Sequence, residues 1–369
     1  GSADSGARTD LLRVDRESIQ AIRPEFGFLS IREIVLTGGT AWVLDGESPH
    51  LTRVSLEDGT ALHTAQEGDG PGELRNPWAM QPSEEGGVRI WDFGTGRVSL
   101  FDSRGAFAGS ENLSAEVPIR TRLNIRDVSY VDPFRIRSNG DSVLVGSFPG
   151  RVIGTADFSF GTLRKADLRL TPGPELVRFS DHIEEGMASR LEWTAVPLWD
   201  ALLDVIALWS PASSQVIWMD DGGRPLTAVS VDWPETEINR KDIERYLRRM
   251  ARVELGADQD VDEANITRMA RAVRDRFAKN HPGPVDLRLG SDGVVWLRLF
   301  DTTIDPLGKG RRWLRISRAG VQEAYEFPES FIPMVFLAHG AYGISRLRNG
   351  DQVLAWWSRS DLLHKLDSK

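Results

Sequence analysis

GVRIWDFGTGRVSLFDSRG, residues 87–105, is the stretch whose reading decides the fold. Its two short runs, 88–93 and 97–102, hold β-branched and aromatic residues. A Gly-Thr-Gly step joins them, and Ser103-Arg104-Gly105 supplies the next reversal, so the text predicts a hairpin followed by a further strand. The unit recurs as GGTAWVLD (38–45) with LTRVSLEDG (51–59), and as SDGVVWLRLF (291–300) with RWLRISRAG (312–320). Repetition of one supersecondary unit along a chain signals an array that shares a continuous core.

An all-β, six-bladed propeller accommodates these repeats best. Blade one is expected from Ile31 to about Thr64, and blade two from Trp78 to about Gly109 after the linker EGDGPGELRNP (67–77). Blade three reads as FRIRS, DSVLVGS, VIGTADFS and TLRKADLRL between Phe134 and Leu170. The segments 111–131 and 171–191 read as irregular connections. Blade four includes DVIALWS, SQVIWMD and PLTAVSV, with a reversal at Asp221-Gly222-Gly223. Blade five runs VDLRLG, VVWLRLF, RWLRIS and VQEAYEF. Blade six offers only FIPMVFL, AYGISRLR and QVLAWW, so a strand from the N-terminus, expected at Leu11–Val14, is needed to close the ring and hide its edge. Residues 1–9 read as a flexible tail and 10–369 as one propeller domain.

Between blades four and five the period changes. Ile243, Tyr246, Leu247, Met250 and Val253 share one helical face, with Asn239 as N-cap and Gly256 as stop. A second helix fits 261–278, with Ile266, Met269, Ala270, Val273 and Phe277 on its stripe. Residues 236–283 are thus expected to be a two-helix insertion, either covering the channel mouth, presenting a partner surface, or packing on the blade rim.

At EGDGPGELRNP and IWDFGTGRVSLFDSRG the chain resembles bacterial six-bladed β-propellers of the NHL-like group. Gly87, Ile90, Asp92, Arg97, Val98, Phe101, Asp102 and Gly105 occupy the group's blade pattern. The match is specific over 67–105, weaker over 285–320, and architectural elsewhere. The resemblance implies the fold and an exported or surface-anchored setting; it carries over no catalytic residue.

Composition narrows the function classes. The 369 residues carry a net charge of −9, which speaks against a general nucleic-acid surface. No apolar run approaches the ~18 residues of a membrane span. The cations are 39 Arg against six Lys, spread along the chain. That reads as compositional bias before it reads as carboxylate or phosphate recognition. Cysteine is absent, which removes disulfides, thiol catalysis and thiolate metal sites. Gly1-Ser2 fits either a cloning remnant or the residues after a removed lipid-anchored cysteine.

Local motifs supply little chemistry. Trp42, Trp91, Trp209 and Trp296 hold matching places in second strands and are expected to fill the wedges between blades rather than to stack a ligand. Gly68–Glu73 has phosphate-loop glycines but no Lys-Ser/Thr. Asp258, Asp260 and Asp262 begin like a calcium loop, yet Glu263 and Met269 stand where glycine and glutamate are required. The six histidines show no metal-ligand spacing.

Propeller geometry places first-strand entrances and the loops between second and third strands on one face, where ligand sites form. The candidates at that mouth are Arg75, Asn76, Arg122, Asn124, Asp127, His182, Arg190 and His281. The leading expectation is a non-catalytic binding or scaffold propeller acting outside the cytoplasm, with a protein or small molecule as partner and no cofactor. The alternative is a propeller hydrolase of lactonase or esterase type with calcium in the channel.

Overall fold

The computed structural model describes residues 11–22, 27–114, 134–139, 142–147, 162–179, 197–231, 237–255, 262–277, 279–281, 283–300, 309–347 and 351–359. Six sheets are present, and the first strands of successive blades touch in a closed ring. Blade one comprises β3 (Ile31–Thr37), β4 (Thr40–Asp45), β5 (Leu51–Ser55) and β6 (Ala61–Ala65); blade two comprises β7 (Pro77–Pro82), β8 (Val88–Asp92), β9 (Arg97–Phe101) and β10 (Phe107–Asn112). The hairpin of the opening stretch forms as expected, with Asp92 opposite Arg97 and Gly96 at φ +67°, a conformation that favours glycine.

Blade three differs from its reading. Its strands are β11 (Phe134–Asn139), β12 (Ser142–Ser147), β13 (Thr162–Ala166) and β14 (Pro172–Arg178). TLRKA is the third strand, not the fourth, and the fourth comes from the segment read as irregular. VIGTADFS lies outside the described residues. Pro172 and Pro174 disguise β14 in the sequence, but it is the outermost strand, where one row of N–H groups is not needed.

Blade four adds a first strand the sequence concealed, β15 (Leu198–Leu202), before β16 (Val205–Ser210), β17 (Gln215–Asp220) and β18 (Pro225–Ser230). Then come the two helices, α1 (Arg240–Leu255) and α2 (Glu263–Ala272). At the head of α1, Asn239 Oδ1 accepts from Lys241 N at 2.9 Å and Asp242 Oδ2 accepts from Asn239 N at 3.0 Å, a reciprocal cap. Asp262 caps α2 by accepting from Asn265 N at 3.1 Å. Ile238, Ile243, Ala270 and Phe277 give the insertion a small core of its own, and Arg248 joins Glu263 through two 2.7 Å bonds.

Blade five holds β19 (Pro284–Leu289), β20 (Val295–Phe300), β21 (Lys309–Ile316) and β22 (Gln322–Glu326); blade six holds β23 (Phe331–Leu337), β24 (Gly340–Arg346) and β25 (Gln352–Ser358). The N-terminus does close blade six, but not with the strand expected. The closing strand is β2 (Ile19–Ile22), antiparallel to β25, with Ile19 opposite Trp357 and Ile22 opposite Leu354. Residues Leu11–Arg13 form β1 instead, a parallel fifth strand on β22 of blade five. The two isoleucines explain the preference. Ile19 packs into the cluster shared with blade five, and Ile22 into the cluster shared with blade one, so this run covers both faces of its sheet.

The wedge tryptophans are all buried: Trp42, Trp91, Trp209 and Trp296 are each at most 3% exposed. Trp42 packs against Met80, Val88 and Ile90 of the next blade, Trp91 against Ile136 and Val143, Trp209 against Leu287 and Leu289, and Trp296 against Phe336, Ala341 and Trp357.

The double fastening predicts graded truncation. Deleting residues 1–14 should lower stability modestly in urea unfolding. Deleting 1–23 should cost roughly 2–4 kcal/mol more, because Ile19 and Ile22 lose their burial. Equal losses for the two deletions would show that β2 does not close the ring.

Candidate functional site

A strand at the inner end of a blade has a neighbour on one side only, so a row of its backbone N–H and C=O groups faces the axis. In this chain the first strands carry charged residues at alternate positions among apolar ones: Glu33 on β3, Arg135 and Arg137 on β11, Asp200 on β15, Asp286 and Arg288 on β19. Alternation puts members of one strand on one face, and ring closure brings the strands together.

The result is an ionic lattice in the channel. Arg137 Nη1 donates to Glu33 Oε1 at 2.9 Å, and its Nε donates to Asp200 Oδ1. Arg135 Nη2 donates to Asp286 Oδ1 at 2.8 Å, and Arg288 Nε donates to Asp286 Oδ2 at 3.1 Å. The Arg137–Glu33 pair joins blades three and one, and the Arg135–Asp286 pair joins blades three and five. Neither pair of blades is adjacent, so both bonds reach past the blade between.

The same side chains seal neighbouring edges. Glu33 Oε2 accepts from Met80 N at 2.7 Å, and Asp200 Oδ2 from Leu289 N at 2.9 Å. Arg135 Nη1 donates to the carbonyls of Trp199 at 2.6 Å and Leu287 at 2.9 Å. Gln81 Nε2 donates to the carbonyl of Ile136 at 3.2 Å. Every carboxylate oxygen of Glu33, Asp200 and Asp286 therefore has a donor.

Ionisation follows from this packing. Burial pushes the Glu33 carboxyl up from its ordinary 4.5, and Arg137, the Met80 N–H, Arg288 and Arg135 pull it only part of the way back. Burial also opposes the charge of Asp200, but Arg137, Arg135 and Arg288 outweigh it and hold the carboxyl below its ordinary 3.8. Asp286 is held well below that value for the same reason, by Arg288 and Arg135 against burial. Burial works against the guanidinium charge of Arg137 and Arg288 too, and the neighbouring carboxylates more than restore it.

The mouth candidates are placed as follows. The backbone N–H groups of Arg75 and Asn76 donate to Asp92 at 2.7 and 2.9 Å, fixing the entrance to blade two. The Arg75 side chain pairs with Asp69 at the surface, and Asn76 Oδ1 accepts from Arg32 at 3.1 Å. His281 sits at the foot of the insertion, its Nε2 3.5 Å from Asp242 and its ring 4.9 Å from Phe300. Arg122, Asn124, Asp127, His182 and Arg190 lie outside the described residues. The lattice residues were not among the candidates; their signal was a charge at alternate positions of FRIRS, LWDAL and VDLRL.

Other motifs resolve structurally. In the Gly68–Glu73 turn, Gly70 N donates to Glu73 at 2.7 Å. Of the acidic run before α2, Asp262 is the helix cap, while Asp258 and Asp260 lie outside the described residues. Among the described residues, no three of His, Cys, Asp and Glu gather as a metal site.

Comparison with solved structures fits this architecture. A Bacteroides fragilis protein described as exported aligns with 95% of this chain and 99% of its own at 9% identity, with a TM-score of 0.52. A member of the DUF4221 family from Bacteroides vulgatus aligns with 91% of this chain and 94% of its own at 9% identity and TM-score 0.54. The shared feature is the fold. Virginiamycin B lyase from Staphylococcus aureus, at 11% identity over 92% of this chain and 88% of its own, reaches a TM-score of only 0.40. No protein-family model matches the chain, and neither does any curated protein.

The lattice makes stability depend on acid. A carboxyl held below its ordinary value stabilises the fold above that value and loses the contribution as pH falls through its folded value. Asp200 and Asp286 should therefore lower the urea midpoint as pH drops below about 4. Glu33, shifted the other way, opposes them weakly. Asp200→Asn should cost about 3–5 kcal/mol at pH 7, since it leaves Arg135, Arg137 and Arg288 with only Glu33 and Asp286 to balance them. Glu33→Gln should cost clearly less, because burial already disfavours its ionised form. Equal costs would contradict these assignments.

Proposed function

We propose that this protein is a binding propeller of the NHL-like kind that acts outside the cytoplasm and takes its ligand at the channel rather than turning it over. The observation that carries this reading is the state of the channel carboxylates. A general base, a nucleophile or a calcium ligand needs an oxygen free to meet substrate or metal. Here the oxygens of Glu33, Asp200 and Asp286 are all engaged by guanidinium or backbone donors. What remains unengaged among the described residues is donor capacity on arginine, which binds anions and does not by itself split bonds.

The Bacteroides fragilis relative in fold, a protein described as exported, supports the extracytoplasmic setting. The helical insertion enters at the end of the ring where first strands begin, and there it serves as a lid or a partner surface beside the channel.

The distinguishing experiment is a turnover screen on chromogenic esters and lactones, with and without calcium. The expected outcome is no rate above buffer under either condition. Calcium-dependent turnover that Asp286→Asn abolishes would replace this reading with the hydrolase alternative.

A further inference from the structure

The channel lattice has an unequal distribution of hydrogen-bonding capacity, and the inequality points to a ligand class. This inference deepens the binding reading and rests on it. Each oxygen of the three carboxylates already has a donor, as described above. The arginines keep nitrogens without an acceptor. Arg288 uses only its Nε, toward Asp286, and both its Nη nitrogens lack a partner among the described residues. Arg137 uses Nε and Nη1, leaving Nη2 in the same condition. Neither side chain is fully closed off: Arg288 is 23% exposed and Arg137 11%. The two are close enough for the charge of Arg137 to be felt at Arg288.

The wall next along the ring is of opposite character. Strand β23 of blade six, FIPMVFL, packs next to β19 and closes the ring toward β3. It has no side chain able to donate or accept a conventional hydrogen bond. Its Ile332, Met334 and Val335 are half-buried against the apolar cluster shared with blade one, and Leu337 is half-buried as well. A fully hydrated anion such as phosphate gains nothing from that wall, and an uncharged hydrocarbon gains nothing from the guanidinium groups. A molecule with both parts gains from each. Guanidinium nitrogens in a low-dielectric setting suit a planar carboxylate, which they meet with charge-assisted hydrogen bonds.

We propose that the channel binds a small amphipathic carboxylate, its head on Arg288 and Arg137 and its apolar part along the first strand of blade six.

The test uses the full chain with octanoate as probe, followed by calorimetry and tryptophan fluorescence. Octanol and inorganic phosphate serve as comparators. Octanoate should bind saturably with one site per chain. Arg288→Gln should weaken it about tenfold or more, the loss expected for a charge-assisted bond. Arg224→Gln, at an exposed ion pair with Asp220, should leave binding unchanged. Met334→Glu puts a carboxylate on the apolar wall without touching the arginines, and it should abolish binding even if Arg288→Gln proves too unstable to measure.

Octanol binding as tightly as octanoate, phosphate displacing octanoate, or a folded Met334→Glu variant that binds normally would each overturn the proposal. So would failure to saturate in the millimolar range. Such a failure, with no ester or lactone turnover, would sink the ligand class and leave the binding reading standing. Turnover would sink the binding reading itself.

Discussion

The inner edges of six sheets pose one demand that shapes the middle of this molecule. Each first strand presents backbone donors and acceptors to the axis, and no further strand can pair with them there. A buried backbone group left without a partner costs about 1–3 kcal/mol. Here the partners are polar and charged side chains from other blades. Glu33 of blade one serves Met80 of blade two, Gln81 of blade two serves Ile136 of blade three, and Arg135 of blade three serves Trp199 and Leu287 of blades four and five. Asp200 then passes the chain of contacts on to Leu289. Arginine suits this work because its planar fork offers five donors at once. Arg135 meets two carbonyls and a carboxylate from one head group, which an ammonium would do with poorer geometry.

Further from the axis the blades are held by repeated devices of a different kind. Tryptophans in second strands fill the wedge toward the next blade. Aspartates at the ends of second strands tie down the entrance to their own blade: Asp45 accepts from the N–H groups of Leu29 and Ser30 at 2.9 Å each, and Asp92 does the same for Arg75 and Asn76. Another set of aspartates shapes the turns between third and fourth strands, as Asp102 and Asp220 do by accepting backbone N–H bonds within their own reversals. Apolar wedges and short-range carboxylate ties both act locally, so they recur in several blades.

That difference of range explains what was legible in the sequence. The hairpins, wedge tryptophans, helical insertion and missing sixth-blade strand all follow from spacing within some thirty residues or from a simple strand count. Blade three was misread because Pro172 and Pro174 make an outer strand look like a loop. The first strand of blade four was missed because Asp200 interrupts a short apolar run, and an isolated charge in a strand ordinarily marks a solvent face. The closing strand was misplaced because LLRV is the more hydrophobic text, whereas the edge of blade six needs an apolar residue on each face. The lattice was invisible for a related reason. Glu33 and Arg137 are over a hundred residues apart, and nothing in either strand alone says that its charge points to an axis instead of to water.

Blade six stands apart from this scheme, and the asymmetry is physically coherent. Its first strand has no polar side chain, whereas the equally uncharged first strand of blade two has Gln81 to donate to Ile136, so blade six adds nothing to the side-chain bonds that join blades one to five. The burden of holding it falls on other contacts: the aromatic cluster of Trp296, Trp313, Tyr325, Phe336 and Trp357 toward blade five, and the bonds of Gln352 with Phe28 and Ile31 toward blade one. The N-terminal segment crosses that same seam, β1 on blade five and β2 on blade six, with Val14 buried between them. A blade whose first strand offers no polar side chain to the channel is the one that has a strap from outside. Its apolar inner strand and its outer fastening are therefore two consequences of one arrangement, and they leave the channel with one wall that repels charge facing others that display it.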